Sequence, residues 1–116
     1  MPKNKLSGLP LKPNERAALN ELKIRLENKF PGCELVLFGS RSRGEGDEFS
    51  DLDVLIILDT KIDRTLHEMI TDISYPLELE FNVVFGKIIE SRIDWDSPIS
   101  RITPLHRNID REGVRV

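Results

Sequence analysis

The sequence predicts a small α/β (α+β) domain, and three observations carry that prediction. Two apolar runs, residues 35–38 and 52–58, are bounded by glycine or polar residues and are too short for stable helices. Stretches with apolar residues at three- and four-residue spacing lie before the first run and after the second. At 116 residues the chain has the size of one domain with a single two-layer core.

Residues 1–12 hold Lys, Gly, Ser and two prolines without sustained periodicity, so they read as a flexible N-terminal arm, with the domain spanning 13–116. From Pro13, Ala18/Leu19, Leu22, Leu26 and Phe30 recur on one side, and Glu15, Arg16, Glu21, Lys23 and Glu27 on the other. This is an amphipathic helix with proline in its first turn, ended by Pro31-Gly32. Glu34–Phe38 and Leu52–Leu58 are buried strands. Asp59 or Thr60 can cap a second helix whose face is Ile62, Leu66, Met69, Ile70 and Ile73, stopped at Tyr75-Pro76. Leu77, Leu79, Phe81 and Val83 alternate with Glu78, Glu80 and Asn82, the period-two pattern of a strand with one wet face. Ile88-Ile89 suits a short extended piece, and an acidic loop follows around Asp94-Trp95-Asp96. Ser97-Pro98 opens a last helical stretch, which Pro104 interrupts and Gly113 ends.

Composition excludes several classes. With 39% hydrophobic and 32% charged residues the chain is neither depleted enough for disorder nor equipped with a run of about 18 apolar residues to cross a membrane. A net charge of -3 argues against strong nucleic-acid binding, which draws on a Lys/Arg excess. The single Cys33 can form no internal disulfide, and no signal-peptide apolar core opens the chain. A cytoplasmic location is the expectation.

The chemistry gathers at Leu35-Val36-Leu37-Phe38-Gly39-Ser40-Arg41-Ser42-Arg43-Gly44 and Ser50-Asp51-Leu52-Asp53-Val54-Leu55-Ile56-Ile57. Gly39, at the end of a strand, lets a phosphate chain approach the backbone, and Ser40 adds a hydroxyl beside the amides there. Arg41 and Arg43 flank the turn and can supply positive charge to phosphate oxygens. Gly44 and Gly46 keep the connection pliable. Asp51 and Asp53 alternate with Leu52 and Val54, so both carboxylates leave one strand face while the apolar residues enter the core. Paired carboxylates of this kind suit Mg²⁺ shared with nucleotide phosphates.

Gly39-Ser40, ten residues, then Asp51-Leu52-Asp53 resembles the minimal nucleotidyltransferases of the DNA polymerase beta superfamily, over residues 13–84. The closing Asn108-Ile109-Asp110-Arg111-Glu112-Gly113-Val114 is similar to the ending of small stand-alone members. The resemblance implies a small mixed sheet with helices packed on one side. It also implies an NTP, foremost ATP, bound with Mg²⁺, and transfer of AMP to a hydroxyl. Gly39 and Ser40 would hold phosphates, and Asp51 and Asp53 the metal. The chain has no room for nucleic-acid-gripping modules, which favours a protein or small-molecule acceptor. By analogy with paired minimal transferases, a small helical partner protein in a toxin–antitoxin arrangement is implied, this chain being the antitoxin.

The family pattern includes a third carboxylate on the neighbouring strand, where this sequence reads Asn82-Val83-Val84-Phe85. Glu80 shares the expected strand face with Asn82 and has the reach to substitute; otherwise Glu78 and Glu80 are that strand's polar side. The rival reading is a catalytically inactive module that binds nucleotide or partner only. His67 and His106 lack a second ligand at metal spacing and read as surface or partner-contact residues. Trp95 reads as a packing anchor, and Arg101, Arg107 and Arg111, with Lys87 and Arg92 nearby, as a solvated face. Cys33 has no activating base. A homodimer is open, since a small domain gains burial by pairing apolar helix faces.

Overall fold

The computed structural model describes residues 4–44 and 51–116. Five strands form one mixed sheet in the order β1-β5-β2-β3-β4: Asn4–Lys5, Val114–Arg115, Glu34–Phe38, Leu52–Leu58 and Phe85–Ser91. β2 runs antiparallel to β3, and β3 parallel to β4. Two long helices, α1 (Pro13–Lys29) and α2 (Arg64–Phe81), share one face. There Ala18, Leu19, Leu22, Leu26, Ile70 and Leu77 pack on Leu35, Leu37, Leu52, Val54, Ile56 and Leu58. Alternation sends Val36, Leu55 and Ile57 to the other face. The short helices α3 (Arg92–Trp95) and α5 (Pro104–Glu112) cover part of it with Trp95 and Ile109. α4 (Pro98–Arg101) lies between them in the chain.

α1 opens as expected, with Pro13 at its first position and Glu15 accepting from the Lys12 amide at 2.8 Å. The segment before it, expected as a flexible arm, is tied down over residues 4–12. Asn4–Lys5 pairs with β5, Leu6 is buried, and Leu9 and Leu11 pack against the core. Arg16 donates to the carbonyls of Leu6 and Leu9 at 2.9 and 2.6 Å. Scattered leucines without period are enough to anchor a segment when the rest of the domain offers a face.

The main correction concerns residues 64–91. α2 does not stop at Tyr75-Pro76; it continues to Phe81, with Pro76 inside it and Asn82 as its left-handed C-cap. Its cap is Asp63, which accepts from the Leu66 amide at 2.8 Å, rather than Asp59 or Thr60. Leu66, Ile70, Ser74 and Leu77 are the buried positions, a helical and not an alternating series. Asp72 and Pro76 both face solvent, so water can serve the carbonyl that proline leaves without its amide. The third main strand is therefore β4, where only a short piece at Ile88-Ile89 was expected. Its start is fixed by Glu78, which accepts from the Phe85 amide at 2.8 Å.

A pair of substitutions separates the two readings of this segment. Leu77 is fully buried whereas Leu79 is 67% exposed, although a strand would place both on one face. Leu77→Ala is expected to cost about 2–5 kcal/mol in denaturant unfolding, and Leu79→Ala about 0.5 kcal/mol or less. Comparable losses at both positions would return the segment to a strand.

Candidate active site

β2 ends at Phe38, and Gly39 leaves the strand at φ 76, ψ -161, backbone angles essentially reserved for glycine. A 3₁₀ turn over Ser40–Arg43 follows. Ser42 closes it, with its amide and hydroxyl both donating to the Gly39 carbonyl, at 3.1 and 2.7 Å. The turn is thus held by its third residue while Ser40 sits at its entrance, partly exposed. Gly44, left-handed at φ 76, ends it. Gly46 lies outside the described residues.

Asp51 is exposed immediately before β3, and Asp53 lies within the strand, opposite Phe38 on one side and Gly86 on the other. The Asp53 carboxylate sits between two glycines. A Cβ at Gly39 would stand 2.5 Å from its Oδ2, and one at Gly86 2.5 Å from its Oδ1. Gly86 is a residue that the sequence reading missed, because its role exists only through the parallel pairing of β3 and β4. Burial first, and the neighbouring Asp51 charge second, push the Asp53 carboxyl above the usual range. A cation at this pair would relieve both penalties, so the donor set of two carboxylates on an open strand end fits a hard divalent ion.

Each of the two arginines meets a carboxylate of a helix. Arg41 is buried at 8% exposure and forms an ion pair with Glu15 in the first turn of α1. Arg43 pairs with Glu112 of α5 at 2.9 Å. That contact is the main reason the Glu112 carboxyl lies below its ordinary range. Both guanidiniums anchor the turn to helices, which the alternating Arg-Ser-Arg pattern could not reveal. Arg41→Ala would leave Glu15 buried with its principal counter-charge gone, an expected loss of about 3–5 kcal/mol. Thermal unfolding checks this; an unchanged midpoint would show that the pair does not hold the turn.

Glu80 is corrected as well. It stands on α2, on the sheet face opposite Asp53, is 60% exposed, and lies 4.0 Å from Arg25 of α1. Asn82 is the α2 cap, so neither belongs to a strand beside the aspartates. The positions of β4 and its approach that share the Asp53 face nearby are Val84, Gly86 and Ile88. Among the described residues no cluster of three or more His, Cys, Asp or Glu assembles.

The remaining candidates resolve simply. Trp95 is buried against Ile57 and Ile109, a packing anchor as expected. His67 is exposed, but His106 is buried and stacked on Trp95 rather than at the surface. Arg92 is no solvated charge: it donates to Asp59 and Glu34 at 2.6 Å each and to the Gly32 carbonyl at 3.1 Å, clasping the far ends of β2 and β3. Burial pushes the Cys33 thiol up to about 11, which leaves it no case as a nucleophile. No helix among the described residues is long and apolar enough to cross a membrane.

A mixed sheet that carries a glycine-led turn against a paired-carboxylate strand defines a nucleotidyl-transferring class of protein. The pattern of the family described as "Nucleotidyltransferase domain" matches residues 19–112, and the chain belongs to that family; it is a nucleotidyltransferase. It is 34% identical over 102 residues to the "Putative protein adenylyltransferase" of Methanocaldococcus jannaschii, covering 86% of this chain and 95% of that protein. The fold is also that of a chain in a mutant crystal structure of the toxin–antitoxin pair MntA–HpeT. That likeness has a TM-score of 0.57 at 15% identity and covers 83% of this chain and 69% of the other.

Proposed function

We propose that this nucleotidyltransferase binds ATP with Mg²⁺ at Gly39, Ser40, Asp51 and Asp53 and transfers AMP to a hydroxyl of a protein acceptor, in the cytoplasm. The observation that carries the reading is the Asp53 carboxylate held between Gly39 and Gly86, beside Asp51. Mg²⁺, when bound, would neutralise the triphosphate and acidify the attacking hydroxyl. The chain's own part is positioning. Gly39 admits the phosphates to the backbone, Ser42 locks the turn, and the two glycines fix the carboxylate direction. The acceptor oxygen would bond to the α-phosphorus as the bond to pyrophosphate breaks.

The name of the 34% identical relative, a protein adenylyltransferase, supports a protein acceptor. The fold shared with a toxin–antitoxin chain supports a small helical partner protein, which this chain would modify as the antitoxin. Calorimetric titration of ATP with and without Mg²⁺, into the wild type and Asp51→Asn, tests the site. Binding that needs both the ion and Asp51 is the expected result, and metal-independent binding of equal strength would overturn it.

A second reading is favoured by Val84, Gly86 and Ile88, which put no acid on β4 beside Asp53. In that reading the chain binds Mg²⁺ and nucleotide without turnover. Pyrophosphate release in the presence of acceptor separates the two: release supports transfer, and tight binding without it supports the binding module.

A further inference from the structure

β4 is the open edge of the sheet. The opposite edge, β1, has two residues, too few to hold a further strand, whereas β4 has seven and no proline. β3 is buried at every position except Asp53, while every residue of β4 after Phe85 is partly exposed. The ladder fixes which backbone groups are left over. Leu52 donates to the Val84 carbonyl at 2.9 Å, so Gly86, Ile88 and Glu90 turn their amides and carbonyls to β3, and Phe85, Lys87 and Ile89 turn theirs outward. Glu78 takes up the Phe85 amide at 2.8 Å; among the described residues no backbone or side chain takes up those of Lys87 and Ile89.

This edge lies beside the aspartates. Gly86 stands level with Asp53 and has no side chain, so a strand added to β4 would face Asp53 across an open position, about 10 Å or two strand spacings away. The β2 side offers no such approach: Phe38 is level with Asp53 there, β5 continues the sheet, and the Ser40–Arg43 turn is clamped to Glu15 and Glu112. Farther along the Asp53 face, four residues after Gly86, β4 carries Glu90, with Asp94 following on α3. Burial first, and the Asp94 charge second, push the Glu90 carboxyl above its ordinary range. A basic side chain from a neighbouring strand would relieve that crowding of negative charge.

We propose that the protein acceptor docks as an extended strand on the β4 edge, with its hydroxyl residue level with Gly86 and a lysine or arginine four positions along, level with Glu90. This rests on the function proposed above. Lys87 and Ile89 offer two amides and two carbonyls to the acceptor backbone, and the strand's period of two puts hydroxyl and basic residue together on the Asp53 face. The hydroxyl oxygen bonds to the α-phosphorus of ATP, pyrophosphate leaves with the electron pair of the broken bond, and the hydroxyl proton passes to water.

The probe is a nine-residue fluorescent peptide of valine and glutamine with one serine and, four residues on, one lysine; its reversed sequence covers the antiparallel direction. Fluorescence anisotropy with the full chain, Mg²⁺ and ATP reads docking, and mass spectrometry reads AMP on the serine. One of the two peptides is expected to bind and to be labelled. Glutamate in place of its lysine, or N-methylation of the amides that face β4, should each weaken binding about tenfold or more. Lys87→Pro should do the same, because it removes an outward amide without touching the β3 ladder, whereas Lys87→Ala should bind like the wild type. Calorimetric binding of Mg²⁺-ATP, unchanged in both variants, shows that the site is intact. Binding indifferent to N-methylation and to Lys87→Pro, or no peptide binding while Mg²⁺-ATP binds, overturns the edge assignment and leaves the nucleotide site standing. A dimer in sedimentation that Lys87→Pro splits gives the edge to a second copy and also overturns it. Edge-dependent binding without AMP on the serine upholds docking and overturns transfer.

Discussion

Asp53→Asn is expected to lower the rate of AMP transfer by about 10³-fold, ~4 kcal/mol at the transition state. It should do so without loss of fold. The wild-type carboxyl is held above its ordinary range by burial and by Asp51, so its charged form is disfavoured in the folded state. The sign follows directly. An acid whose folded-state pKa is raised costs stability once the pH exceeds its unfolded value, so a neutral amide removes a penalty at neutral pH. The metal-free variant should melt at or above the wild-type temperature. Mg²⁺ with ATP reverses the ranking, because a ligand at about 100 times its Kd stabilises only the form that binds it, by roughly 2.7 kcal/mol. Differential scanning fluorimetry with and without Mg²⁺-ATP, beside a transfer assay, measures both. Transfer at the wild-type rate, or a variant that melts well below wild type without ligand, would sink the role given to Asp53.

Alanine at the two glycines should separate backbone strain from carboxylate position. At Gly39 an added methyl meets both, since φ 76 lies where L-residues rarely go and the Cβ would stand 2.5 Å from Asp53 Oδ2. Gly39→Ala is therefore expected to cost about 1–3 kcal/mol in stability and to abolish ordered nucleotide binding. Gly86 has no positive φ among the described glycines, so Gly86→Ala brings only the 2.5 Å contact with Asp53 Oδ1. The carboxylate must turn, and a displacement of about 1 Å at a reacting centre is worth about 10²-fold in rate. Equilibrium unfolding and steady-state transfer together read the difference: stability and rate fall at Gly39, and chiefly the rate at Gly86. Full transfer in Gly86→Ala would show that Asp53 does not work from the position between the glycines.

The sequence alone determined the parts whose logic is local. Asp53 leaves the sheet face opposite α1 and α2 because a strand alternates, and Asp51 stands directly before that strand. Gly39 follows a strand and precedes a polar turn, which is where a residue without Cβ is needed. α1, β2 and β3 were legible from uninterrupted apolar patterns with clear proline and glycine boundaries. The family match spans residues 19–112 and so takes in these residues.

Tertiary structure decided what depends on a partner distant in sequence. Leu77, Leu79 and Phe81 fit a strand's alternation as well as a helix's turn, and Pro76 weighted the local reading toward a break. Burial of Leu66, Ile70, Ser74 and Leu77 against the sheet outweighed the missing amide and carried the helix to Phe81. That shift moved the neighbouring strand to Phe85–Ser91, brought Gly86 beside Asp53 and took Glu80 to the opposite face. The carboxylates that Arg41 and Arg43 meet, Glu15 and Glu112, stand 26 and 69 residues away in the sequence. A charge is assigned by the counter-charge it meets, and for these residues the fold supplies it across the domain.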